Sequence, residues 1–163
     1  MLPDRHCYEV IPGWLYSRPG PEAYPWDLDE LAAQGVRVIV SLTPGVAMSD
    51  IRAAGIQHQE FLFSDTFRRI STEKRNSILK RYLKFEGAVS SALRQRQPVL
   101  VHCRGGKYRT GFMLALYLAR NQAMSIDRAI ALVRKGKQDA LSAGGCEEFA
   151  QRAWKLLKKQ PSP

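Results

Sequence analysis

The strongest chemistry in the chain sits in Val99-Leu100-Val101-His102-Cys103-Arg104-Gly105-Gly106-Lys107-Tyr108-Arg109-Thr110-Gly111, where a cysteine and an arginine flank five loop residues. The apolar run Pro98–Val101 and the apolar run Phe112–Ala119 bracket this polar, glycine-bearing segment. That order reads as a buried strand, a tight loop and a buried helix. The loop then lies at a helix N-terminus, where unpaired backbone N–H groups can face an anion. A thiol at Cys103 is favoured there as its thiolate, the nucleophilic form, by the helix dipole and neighbouring cations. Arg109 brings a planar fork of donors that holds two phosphate oxygens at once. Gly105 and Gly106 permit the turns that wrap N–H groups around the anion. These are the parts needed to bind a phosphate monoester and attack its phosphorus.

The elements that must position this loop can be read on either side of it. Tyr8–Ser17 predicts one or two short strands closed by the turn Arg18-Pro19-Gly20-Pro21. Asp27–Gln34 predicts a short helix, Val36–Leu42 a central strand, Ser49–Ala54 a short helix and Ile56–Phe63 a further strand. Thr72–Arg96 is amphipathic, with Ile78, Leu79, Tyr82, Leu83, Phe85, Val89, Ala92 and Leu93 at helical spacing. Ser125 opens a helix to about Arg134, and a last helix covers about Gly145–Leu157. Strands alternating with helices predict one α/β domain over residues 1–163, a mainly parallel central sheet flanked by helices. The catalytic loop falls at the C-terminal end of a strand.

Composition is that of a globular protein: 45% hydrophobic and 25% charged residues. The 25 Lys+Arg against 15 Asp+Glu give +10, a field that attracts anionic partners. The basic residues are spread along the chain without interleaved aromatics, which argues against a dedicated nucleic-acid module. No apolar leader is expected from the first residues, and no apolar run in the sequence is long enough to cross a bilayer. Cys7, Cys103 and Cys146 are odd in number and widely spaced. They form neither a disulfide framework nor a zinc pattern, which favours a reducing cytoplasm. His58 is read as structural or exposed.

The string His102-Cys103-x-x-Gly106-x-x-Arg109-Thr110 resembles the signature of the cysteine-dependent protein tyrosine phosphatases, above all the compact dual-specificity branch. Pro12-Gly13-Trp14-Leu15-Tyr16-Ser17 adds a weaker likeness to the entry strand of that branch. The resemblance implies a protein-tyrosine-phosphatase-like fold and hydrolysis through a phosphocysteine, with no metal or organic cofactor. It implies a general acid on a loop upstream of the cysteine, and Asp65 fits, following a strand and preceding the long helix. Asp50, in a surface helix, and Glu60, within a strand, fit less well. In this reading Cys103 is the nucleophile, and Arg109 holds phosphate with the loop amides of Arg104, Gly105, Gly106, Lys107 and Tyr108. Thr110 donates a hydrogen bond to the sulfur, and His102 braces the loop through backbone. In some relatives a second cysteine protects the first in a disulfide, a role open to Cys7 or Cys146.

Substrate follows less directly. A phosphorylated protein is the leading expectation, for a monomeric enzyme. Arg104 and Lys107 make the loop more cationic than hydrolysis requires, which resembles phosphoinositide and inositol polyphosphate phosphatases, the alternative. Arg68 and Arg69, beside Asp65, are expected to add to the same surface. A rhodanese-type sulfurtransferase is the remote alternative; its loop is usually a residue shorter and needs no upstream Asp. The loop Gln138–Gly145 matches only loosely the polar loop with which relatives position water.

Overall fold

A computed structural model describes residues 2–163. The elements run β1 (Tyr8–Ile11), β2 (Leu15–Pro19), α1 (Leu28–Ala33), β3 (Val38–Ser41), α2 (Met48–Ala53), β4 (Gln57–Glu60), α3 (Thr72–Arg94), β5 (Val99–Cys103), α4 (Arg109–Asn121), α5 (Ile126–Gly136) and α6 (Cys146–Leu157). The strands form one sheet in the order β1-β2-β5-β3-β4. Only the β1–β2 hairpin is antiparallel; β2–β5, β5–β3 and β3–β4 are parallel. The cysteine strand β5 is thus central, hydrogen-bonded on both edges and buried throughout.

Alternation along the strands divides two apolar layers. Val38, Val40, Val99, Val101 and Cys103 face the layer formed with α3, α4, α5 and α6. Ile39 and Leu100 face the other way, onto Leu31 of α1 and Ile51 of α2. α4 runs through the larger layer, with every residue from Thr110 to Ala119 buried, as a helix apolar on all sides must be. α3 is held against α4 by a buried carboxylate that its amphipathic pattern did not reveal. Glu86 accepts hydrogen bonds from Tyr82, Arg120 and Asn121, with Arg120 Nε 2.8 Å away.

Three elements depart from the sequence reading. β2 runs on through Arg18 and Pro19, expected in the closing turn, because they pair in register with His102 and Cys103 of β5. The strand expected over Ile56–Phe63 ends at Glu60, because β3 ends at Ser41 and offers its last carbonyl to Phe61 N–H at 3.0 Å. Phe61–Phe63 therefore leave the sheet and lead into the loop that carries Asp65. α4 starts at Arg109, inside the signature, so that the arginine itself stands on the first turn of the buried helix. Among the described residues, no helix is long and apolar enough to cross a membrane.

Candidate active site

Cys103 is the last residue of β5 and is 3% exposed. Residues Arg104–Tyr108 turn from it to the N-terminus of α4. Gly106 makes that turn at φ +71°, and a Cβ there would lie 3.1 Å from Pro19 N and 3.3 Å from the Arg18 carbonyl. Gly20 is packed as tightly on the other side: its N–H donates to the Arg104 carbonyl at 2.9 Å, and a Cβ would stand 2.5 Å from the Cys103 carbonyl oxygen. The loop is clamped against β2 by two glycines facing backbone, a contact no side chain could enter.

β2 can serve as that wall because Arg18 is fixed beneath it. The Arg18 side chain is fully buried, pairs with Asp4 at 2.6 Å and donates to the carbonyls of Pro19, Tyr24 and Pro25. Five guanidinium donors in a rigid fork suit a residue that must satisfy several turn carbonyls at once. The same contacts hold the segment after β2, which places Ala23 at the mouth of the site.

A pocket of about 320 Å³ opens over the loop, lined by Ala23, Asp65, Cys103, Arg104, Gly105, Lys107, Tyr108 and Arg109. Two residues 38 positions apart in the sequence numbering, Asp65 and Cys103, therefore share one cavity. The Asp65 carboxylate stands 4.0 Å from an Arg109 terminal nitrogen. Arg109 also donates to the Phe63 carbonyl at 3.4 Å, while its buried Nε has no partner among the described residues. Asp65 is more than half exposed at the rim and Arg109 is mostly buried at the wall. An acid at the mouth and a fork of donors deeper in suit a phosphate whose leaving group points outward.

His102 is fully buried and does not face the pocket. Its Nδ1 lies 3.1 Å from the Cys103 carbonyl, which can only accept, so Nδ1 carries the proton. Nε2 then accepts from Ser41 Oγ at 2.6 Å, and Ser41 Oγ accepts from His58 Nε2 at 2.8 Å. Burial holds the His102 imidazole down to about 4, so it remains neutral near pH 7 and keeps this donor order. His58, half-buried on β4, thus gains a partner that local sequence gave no sign of.

The remaining expected residues divide. Thr110 Oγ1 is buried beside the loop and makes no hydrogen bond among the described residues, to sulfur or otherwise. Lys107 pairs with Asp139 at 3.0 Å, which also pairs with Lys137 at 3.5 Å, and Arg104 pairs with Glu22 at 3.4 Å, so each extra loop cation has a carboxylate beside it. Both partners were missed by sequence reasoning, since neither lies in a motif. Arg68 and Arg69 do not join this surface: they line a separate cleft behind the Asp65 loop. The Gln138–Gly145 segment braces rather than faces the pocket. Leu141 N–H donates to the Lys107 carbonyl at 3.0 Å, and the Leu141 side chain fills the space left by Gly111. Cys7 and Cys146 are free, buried thiols that burial pushes up to about 12. At neutral pH neither is a nucleophile.

Residues 5–153 match the family model described as the Swiss Army Knife protein, DSP-PTPase phosphatase domain. The tyrosine-protein phosphatase CDC14 homolog of Schizosaccharomyces pombe is 26% identical over 127 residues, covering 75% of this chain and 22% of the relative. The chain thus spans about a fifth of the length of that curated relative. Among solved structures, a mouse putative dual specificity phosphatase complexed with zinc tungstate superposes with a TM-score of 0.76 at 22% identity, covering 96% of this chain and 91% of the other. Human DUSP28 gives 0.74 at 20% identity, covering 95% and 97%. These two likenesses show the fold; the family match over nearly the whole chain shows that the protein belongs to the Swiss Army Knife DSP-PTPase phosphatase domain family.

Proposed function

We propose that this phosphatase domain hydrolyses phosphomonoesters on proteins through a phosphocysteine on Cys103. The observation that carries the reading is the shared pocket in which Cys103, Arg109 and Asp65 meet, with Asp65 4.0 Å from Arg109. In the first step Cys103 Sγ attacks phosphorus, an S–P bond forms, and the P–O bond to the leaving group breaks. Asp65 gives its proton to the departing oxygen, without which an alkoxide or phenolate leaves slowly. Arg109 and the amides of residues 104–108 hold the non-bridging oxygens, whose charge must be accommodated throughout the transfer. In the second step Asp65, now a carboxylate, takes a proton from water as the water attacks phosphorus. The S–P bond breaks, and inorganic phosphate and the thiolate are released.

Other residues support these steps. The buried, otherwise unpartnered hydroxyl of Thr110 is available to the sulfur as charge returns to it. His102 fixes the Cys103 carbonyl, and with it the orientation of the first loop peptide. Protein substrates are favoured over inositol polyphosphates by the ion pairs of Arg104 with Glu22 and of Lys107 with Asp139. These carboxylates offset the two cations that a polyphosphorylated substrate would need. The test is Cys103→Ser, which should abolish turnover of an aryl phosphate while retaining phosphate binding. It is paired with a phosphate-release screen over phosphopeptides, phosphoinositides and inositol phosphates. Turnover surviving in Cys103→Ser, or abolished by chelators in the wild type, would overturn the mechanism. A screen in which inositol phosphates outpace every phosphopeptide would overturn the substrate class.

A further inference from the structure

A second cationic cleft, of about 440 Å³, lies behind the Asp65 loop. Arg68, Arg69, Arg75 and Arg152 line it, with Phe67 and Phe149 among its apolar walls. Glu148 is the single carboxylate in the lining. None of the four guanidinium groups has a hydrogen-bond or ion-pair partner among the described residues, and the Nε of half-buried Arg75 is itself buried without one. This sets the cleft apart from the catalytic rim, where Arg104 and Lys107 each have a carboxylate partner. The four arginines come from three elements: Arg68 and Arg69 from the loop after Asp65, Arg75 from helix α3 and Arg152 from helix α6. Four like charges brought together by the loop, α3 and the distant α6 repel one another unless an anion lies between them. All four are Arg and none is Lys, and the planar fork matches phosphate oxygens in pairs. The apolar walls strengthen such contacts by keeping the local dielectric low.

We propose that this cleft is a second phosphate-binding site, one that holds a phosphate monoester or free phosphate dianion without hydrolysing it. It has no nucleophile: Cys146, the nearby thiol at the start of α6, is buried and in its neutral form. Its position gives it a consequence for the first site. Arg68 and Arg69 follow Asp65 closely in the chain, and Arg69 is held at φ +50° in the left-handed region. The Arg68 side chain lies on Gly144, and the Phe67 carbonyl lies on Gly145, where added Cβ atoms would meet them at 2.1 and 2.8 Å. An anion drawing Arg68 and Arg69 toward Arg75 and Arg152 would hold the far end of the acid loop against α6. Binding stands independently of the hydrolytic reading; only this coupling to Asp65 rests on it.

The experiment uses the full chain, labelled with ¹⁵N and saturated with vanadate at Cys103, with loss of aryl phosphatase activity reporting the loading. Inorganic phosphate is then titrated while the Arg75 Nε–H resonance and the amides of residues 66–70 are followed. Saturable shifts at both are expected, weakening as salt rises. Arg75→Gln with Arg152→Gln should lower the affinity roughly tenfold or more, since hydrogen bonds to charged groups are lost. The single Arg152→Gln, at an exposed side chain, keeps the test interpretable if the double variant unfolds. A parallel arm uses phosphatidylcholine vesicles with and without a phosphatidylinositol monophosphate. Binding to the phosphorylated vesicles that depends on Arg152 identifies a lipid headgroup as the source, and a response to inorganic phosphate alone identifies the free ion. No shift at Arg75 and no vesicle binding, or equal responses in the arginine variants, would overturn the proposal. Failure of vanadate to load would count instead against the assignment of Cys103.

Discussion

Adjacent glycines in the catalytic loop make opposite predictions for the same substitution. At Gly106, alanine must adopt φ +71°, and an L-residue in the left-handed region costs about 1–2 kcal/mol. Its Cβ would also press on Pro19 N at 3.1 Å and on the Arg18 carbonyl at 3.3 Å. That wall is backbone, and Arg18 is pinned below it by Asp4 and three carbonyls, so it yields little. Together the two effects come to about 2–3 kcal/mol, within the range for strained backbone sites. At Gly105, φ is not in the left-handed region and the new Cβ would meet only the Lys107 side chain, at 3.8 Å or more. That change should stay within about 0.5 kcal/mol. The strain of Gly106→Ala appears as lost stability if the loop keeps its shape. If the loop shifts to relieve it, the cost appears as a fall in kcat/KM of roughly 30- to 150-fold. Urea midpoints and kcat/KM for an aryl phosphate, measured on both variants, cover both cases. Damage from Gly105→Ala equal to that from Gly106→Ala, or a harmless Gly106→Ala in both assays, would refute backbone strain as the cause.

Asp65→Asn should slow hydrolysis of substrates with poor leaving groups by roughly 10²–10⁴-fold and matter much less for a leaving group that departs unprotonated. Equal losses on the two would mean that Asp65 is not the acid. His102, held by burial at about 4 against an ordinary 6.5, makes the fold sensitive to acid. The unfolded chain takes up a proton there before the folded one does, so stability is full above pH 6.5 and falls as pH drops through 4, by about 3 kcal/mol. Urea unfolding across that window should show this slope in the wild type and its loss in His102→Gln; parallel curves would refute it. Arg104→Ala combined with Lys107→Ala should change KM for an aryl phosphate and for an inositol bisphosphate by factors within about tenfold of each other, since both cations already have carboxylate partners. A larger, selective rise for the bisphosphate would return the inositol phosphates to first place.

The parts of this protein that could be read from the chain alone are those in which neighbours in sequence are neighbours in space. A strand, a tight loop and a buried helix follow one another without interruption from Val99 to Asn121, so their order fixes the loop geometry around Cys103 and Arg109. The hydrophobic period of α3 and the Ser125 cap of α5, whose Oγ accepts from Arg128 N–H, are local in the same way. Asp65 could be nominated from its place in a loop, but its approach to Arg109 depends on β4 ending early and on Gly144 and Gly145 letting the loop lie flat. The carboxylates that pair with Lys107 and Arg104 and the Ser41 hydroxyl that joins His58 to His102 carry no sequence pattern. So too the arginine wall behind the Asp65 loop. Each is a contact between segments brought together only when the sheet assembles, and no period or spacing records such a contact. Polar side chains at those positions are compatible with plain solvent exposure until the fold supplies a partner at hydrogen-bond distance.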